Sequence, residues 1–81
     1  MPKNSNRDAI VSRLAELLRE ERTKRKLSLS EIAARSGLSH TMVSRVEKRE
    51  RLPTIDTLLR ITEAIGVSLP ALIQRAVDEL G

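Results

Sequence analysis

The chain has 81 residues and a formal net charge of +4, with no Cys, Phe, Tyr or Trp. That length gives one small domain with a limited core, and the missing thiols exclude disulfides, thiolate metal sites and a cysteine nucleophile. A core of Leu, Ile, Val, Ala and Met suits helices packed by aliphatic ridges better than a sheet.

The charge is uneven. Residues 1–51 hold 13 Lys and Arg against 7 Asp and Glu, and residues 52–81 hold 2 against 4. A basic N-terminal portion points to a polyanion on one side of the molecule. No apolar run approaches the length of a membrane span, and MPKNSNRD lacks the apolar centre of a signal peptide. A cytoplasmic protein with no membrane partner is therefore expected.

Residues 1–6 are polar and read as a flexible lead-in to a single domain over 7–81. Helix 1 follows from Ile10, Leu14, Leu17 and Leu18 at helical spacing, starts near Asn6 or Arg7, and runs to about Lys26. Its cationic end, RTKRK, suits the negative pole of the helix dipole. Ser28-Leu29-Ser30-Glu31 fits a capping box and opens a short helix 2 that Gly37 ends. Ser39 caps helix 3, about His40 to Lys48. Thr54 caps helix 4, about Ile55 to Ile65, with Ile55, Leu58, Leu59, Thr62 and Ile65 expected inward and Gly66 as its stop. Ser68 caps helix 5 over 68–80, with Pro70 tolerated in its first turn. The fold class is all-α, a five-helix bundle.

Helices 2 and 3 form a helix-turn-helix. Ala33 and Ala34 give a small surface for a crossing, Gly37 makes the corner, and Leu38 plugs it. Val43 and Val46 form the inward face of helix 3. The face left outside carries His40, Thr41, Ser44, Arg45 and Lys48. A helix enters the major groove of B-DNA, where Arg can donate two bonds to guanine and Thr, Ser or His can reach base edges. The free amides of the first turn suit phosphate.

The stretches LSLSEIAARSGLSHTMVSRVE and LPTIDTLLRITEAIGVSLPALI resemble the lambda-repressor-like (Xre, or phage repressor/Cro) helix-turn-helix family, over residues 10 to 73. The resemblance implies a compact five-helix, sequence-specific, double-stranded DNA-binding transcriptional regulator. It makes Ser39, His40, Thr41, Ser44 and Arg45 the DNA-facing residues, puts Lys48, Arg49 and Arg51 near the DNA backbone, and brings Ser28 and Ser30 to phosphate. Glu47 borders the inward face and needs a partner; the matching family positions imply an Arg22–Glu47 ion pair with a structural role. Two positions depart from the family pattern. Leu29 stands where Gln commonly bonds a phosphate. Lys48-Arg49-Glu50-Arg51 stands where a Gly commonly follows helix 3, which would let that helix run on slightly.

The segment IQRAVDELG extends helix 5 beyond the family's usual end. Its stripe of Ile73, Ala76, Val77 and Leu80 packs either on Ile10 and Val11 of its own chain or across a two-fold seam. The second reading is preferred, because a homodimer doubles the base pairs read. An antitoxin or assembly subunit of the same fold is the alternative function. No site constellation supports an enzyme, no cofactor is expected, and a lone His without Cys offers no metal site.

Overall fold

A computed structural model describes residues 5–80, and among them are five helices and no strand. These are α1 (Ser5–Lys24), α2 (Leu29–Ser36), α3 (His40–Glu47), α4 (Ile55–Ile65) and α5 (Leu69–Leu80). Of the six residues read as a flexible lead-in, Ser5 and Asn6 are already helical, and residues 1–4 lie outside the described part.

The caps fall where the sequence places them. Ser28 Oγ accepts from the Glu31 amide at 3.0 Å and the Glu31 carboxylate accepts from the Ser28 amide at 2.8 Å, closing the capping box. Hydrogen bonding from the Ser28 amide, and next from the Ser28 side chain, holds the Glu31 carboxyl below its ordinary range. Ser39 and Thr54 accept from the amides of Met42 and Thr57 at 3.0 and 3.1 Å. Gly37 and Gly66 take φ of +76° and +94°, which ends α2 and α4 in the left-handed region.

Two other helices end the same way without glycine. At the end of α1, Lys26 has φ +58°, the Leu27 amide returns to the Arg22 carbonyl at 3.1 Å, and the Lys26 amide to Thr23 at 2.9 Å. At the end of α3, Arg49 has φ +63°, Glu50 returns to Arg45 at 2.9 Å, and Arg49 to Val46 at 3.1 Å. Both are Schellman turns with a cationic residue in the position that favours glycine. They correct two expectations. α1 stops at Lys24 instead of near Lys26, and α3 does not run on past Lys48 but ends at Glu47.

Leu17, Leu18, Ile32, Val43 and Ile61 are fully buried at the centre of the core. On α4 the buried stripe is Leu58, Ile61, Thr62 and Ile65, at i, i+3, i+4 and i+7. Ile55 and Leu59, expected inside, are 64% and 40% exposed. They lie one stripe over, and a helix surface resting on α2 cannot bury both rows. Thr62 is satisfied in the core by donating to the Leu58 carbonyl at 2.9 Å.

α5 packs chiefly on α1. Ala76 is fully buried and Ile73 partly buried against the core, so neither is free for a dimer seam; Val77 and Leu80 stay exposed. Charge ties the same two helices. Glu21 is buried on α1 and meets Arg25 on its own helix and Arg75 of α5 at 3.1 Å. Arg13 bonds Glu79 of α5 as well as Glu16 and Glu20.

α3 is fixed at both ends. Arg60 of α4 donates to the Ser36 carbonyl at 3.2 Å, and Arg35 of α2 to the Ala64 carbonyl at 3.2 Å, so the corner before α3 is bound to α4. At its far end, Arg22 of α1 grips Glu47 with two bonds, Nε at 2.7 Å and Nη2 at 3.0 Å. The third nitrogen of the fork, Nη1, donates to the Leu27 carbonyl at 2.8 Å. Side-chain exposures of 12% and 5% put this pair in the class of buried ion pairs, as the sequence reading expects.

Three outcomes follow in thermal melts. Arg22→Met strands the Glu47 carboxylate and should cost roughly 3–5 kcal/mol, while adding Glu47→Leu should recover most of that loss. Lys26→Gly relieves a left-handed lysine and should raise stability by about 1 kcal/mol, near 4–8 °C in Tm for a domain of this size; Lys26→Ala should bring no such gain. The Arg25 and Arg75 guanidiniums hold the Glu21 carboxyl below its ordinary range. A folded value below the unfolded one gives stability that is full above about pH 4.3 and is lost as the pH falls through the folded value. Glu21→Gln should therefore lower Tm at neutral pH, with the gap from wild type closing as the pH falls through the folded value.

Candidate nucleic-acid interface

α3 has one apolar, buried side and one polar, outward side. Val43 and Val46, three residues apart, are buried, and Met42 lies at the margin. His40, Thr41, Arg45 and Lys48 are exposed and Ser44 is half-buried. The four residues expected to read bases therefore share the outward side of one eight-residue helix, with Lys48 as its C-cap. Glu47 is the acidic residue of this helix, and Arg22 draws its carboxylate inward. The outward face presents hydroxyls, an imidazole and cations.

The structure distributes the expected phosphate contacts around this face. Ser39 caps α3, and its Oγ accepts from Met42, which leaves the hydroxyl proton free to donate outward. Ser28 stands in the same relation to α2, and Ser30 is exposed in the first turn of that helix. Lys48 and Arg49 line a cleft between α1 and α3 together with Arg19, Leu29 and Ser44. Arg51 lies elsewhere: with Arg49 it borders a separate groove between α1 and α4. The left-handed turn at Arg49 puts its guanidinium between the two clefts.

Leu29 is partly buried against the core, so this position contributes packing where an amide would contribute a hydrogen bond. Arg19 was not singled out in the sequence. It is exposed on α1 and shares the cleft with Lys48 and Arg49. Its signal was available, since Arg19 follows Leu18 and falls outside the Leu14, Leu17, Leu18 stripe.

Among the described residues no group of three or more His, Cys, Asp or Glu is placed to hold a metal, and no helix is long and apolar enough to cross a membrane. Every buried side-chain nitrogen or oxygen among them has a hydrogen-bond partner. This set of side chains can donate to base edges and phosphates.

Residues 18–72 match the helix-turn-helix family model. The chain is 39% identical over 62 residues to the control protein C.SmaI of Serratia marcescens, covering 76% of this chain and 74% of that protein. It is 37% identical over 59 residues to an uncharacterized HTH-type transcriptional regulator of Mycobacterium tuberculosis, covering 73% of this chain and 42% of that one, so it spans less than half of that regulator's length. In three dimensions it is similar to the controller protein C.Esp1396I in a structure bound to a 25 base pair operator site, with a TM-score of 0.76 at 22% identity, covering 88% of this chain and 93% of that one. With the family model spanning both central helices and those that follow, the chain belongs to the lambda-repressor-like helix-turn-helix family.

Proposed function

We propose that the chain is a cytoplasmic, sequence-specific DNA-binding transcriptional regulator that works as a homodimer, with α3 in the major groove of each half-site. The single observation that carries this reading is the division of α3: a valine pair buried, a carboxylate turned inward to Arg22, and a polar, cationic face left outside. The family and the operator-bound relative support it.

His40 and Thr41 open the helix and Ser44 and Arg45 follow one turn on, matching the way N-terminal residues of a reading helix reach base edges. Arg45 can make a two-bond contact to guanine, and the shorter side chains can reach bases directly or through water. Ser28, Ser30, Ser39, Lys48, Arg49 and Arg51 bind phosphate and set the register, with Arg19 as an addition to that set. Leu29 supplies no phosphate contact, which leaves more of that work to the cations beside it. Two copies on one duplex read two half-sites about one helical turn apart.

Binding to duplex DNA should weaken steeply as salt rises, because each neutralised phosphate releases counterions. Lys48→Ala should weaken binding to all duplexes alike and flatten the salt slope by about 1, whereas Arg45→Ala should cost about 1–3 kcal/mol on the preferred site and little on random duplex. Equal losses for Arg45→Ala on both kinds of DNA would remove it from the base-reading set.

A further inference from the structure

Among the described residues four take a positive φ, and two of them are glycines, Gly37 and Gly66. The other two are Lys26 at +58° and Arg49 at +63°. Of the residues that carry a side chain, Asn and Asp enter this region most readily. Both places instead hold a long cation, on a backbone it strains. The end of α1 does not need the Lys26 charge. Arg22 and Lys24 already stand in its last turn, and Arg25 donates to the Glu21 carbonyl at 3.2 Å.

One arginine joins the two strained turns. Arg22 Nη1 donates to the carbonyl of Leu27, the residue after Lys26, and its other two nitrogens hold Glu47, two residues before Arg49. Leu29 carries the chain from the first turn into the cleft where Arg19, Lys48 and Arg49 stand. Lys26 is therefore placed at the edge of that cleft. It is exposed, and the carboxylates nearest to it in sequence are engaged elsewhere. Glu21 meets Arg25 and Arg75, and Glu31 accepts from the Ser28 amide. Beside Lys26 in the chain stands Ser28, whose hydroxyl accepts from the Glu31 amide and keeps its proton free to donate outward.

We propose that Lys26 binds a DNA phosphate, and that with Ser28 it forms a second anchoring point for the DNA backbone, joined through Arg22 to the one at Lys48 and Arg49. The inference rests on the DNA-binding reading given above and adds a residue to it. An ammonium and a neighbouring hydroxyl are the donors a phosphate takes, and such contacts fix register without reading sequence. Lys26 then lowers the stability of the free chain and raises its affinity for DNA. A residue with a structural role alone would move stability and binding in the same direction.

Thermal melts and fluorescence anisotropy of the whole chain test this with Lys26→Gly, Lys26→Gln and Lys24→Ala, on a random-sequence duplex between about 50 and about 200 mM salt. Lys26→Gly should melt higher than wild type yet bind more weakly, with its salt slope flattened by about 1. A slope difference of that size makes the wild-type advantage shrink about threefold across that range of salt. Lys26→Gln keeps the strained backbone and removes the charge, so it should lose the same affinity and slope with no gain in Tm. Lys24→Ala removes a cation of the same turn that lies 3.7 Å from Glu21, and it should leave the slope as in wild type. Wild-type affinity and slope in Lys26→Gly, or a Lys24→Ala slope as flat as those of the Lys26 variants, would overturn the contact and leave the DNA-binding reading standing. A wild-type chain that binds no duplex at about 50 mM salt would overturn both.

Discussion

The two-bond grip of Arg22 on Glu47 is the constraint on which the interface depends. α3 has only eight residues and two fully apolar anchors, Val43 and Val46. Two valines set how deep the helix sits but give little resistance to rotation about its axis. Glu47 adds a third point at the far end of the helix, and a planar guanidinium accepts that carboxylate in one orientation only. Arg22 is itself held, because its remaining nitrogen is bonded to the Leu27 carbonyl in the Schellman turn that ends α1. The orientation of α3 therefore passes from the backbone of α1 through one arginine to one glutamate.

The pair also decides the electrostatics of the surface. A carboxylate free at position 47 would stand one residue from Lys48 and two from Arg45, and would repel the same phosphates those cations attract. Turned inward, it leaves the outer face of α3 without negative charge. The left-handed Arg49 belongs to the same arrangement. Glycine would sit there with less strain, yet the arginine places a guanidinium at the junction of the two clefts that flank α3. Local strain held at a surface suited to binding is a familiar trade in proteins, and Lys26 makes the same backbone choice in the turn that ends α1.

Much of this was legible in the sequence because its signals were local. The capping box at Ser28 and Glu31, the corner at Gly37, the stop at Gly66 and the valine spacing of α3 each specify one conformation within a few residues. The Arg22–Glu47 pair was legible for a different reason: a carboxylate on the edge of an apolar face needs a partner. What the sequence left ambiguous was which of several apolar rows is buried. α4 has two overlapping stripes, one through Ile55 and Leu59 and one through Leu58, Ile61 and Ile65. Only the positions of the neighbouring helices select the second. The stripe on α5 posed the same problem, since periodicity shows that a face is covered and not what covers it; Ala76 proved to be covered by its own chain. Glu21 did carry a signal. Leu14, Leu17, Leu18 and Glu21 follow one stripe, so a carboxylate at that place required cations, which Arg25 and Arg75 supply.

The most direct measurement of the central claim is selection of bound duplexes from a random pool by the wild-type chain. A reading face of His40, Thr41, Ser44 and Arg45 presented twice around a two-fold axis predicts one recovered pattern, made of inverted half-sites about one turn of DNA apart. Recovery of sequences with no shared pattern, at an affinity no better than that for the starting pool, would contradict the claim that the outward face of α3 reads bases.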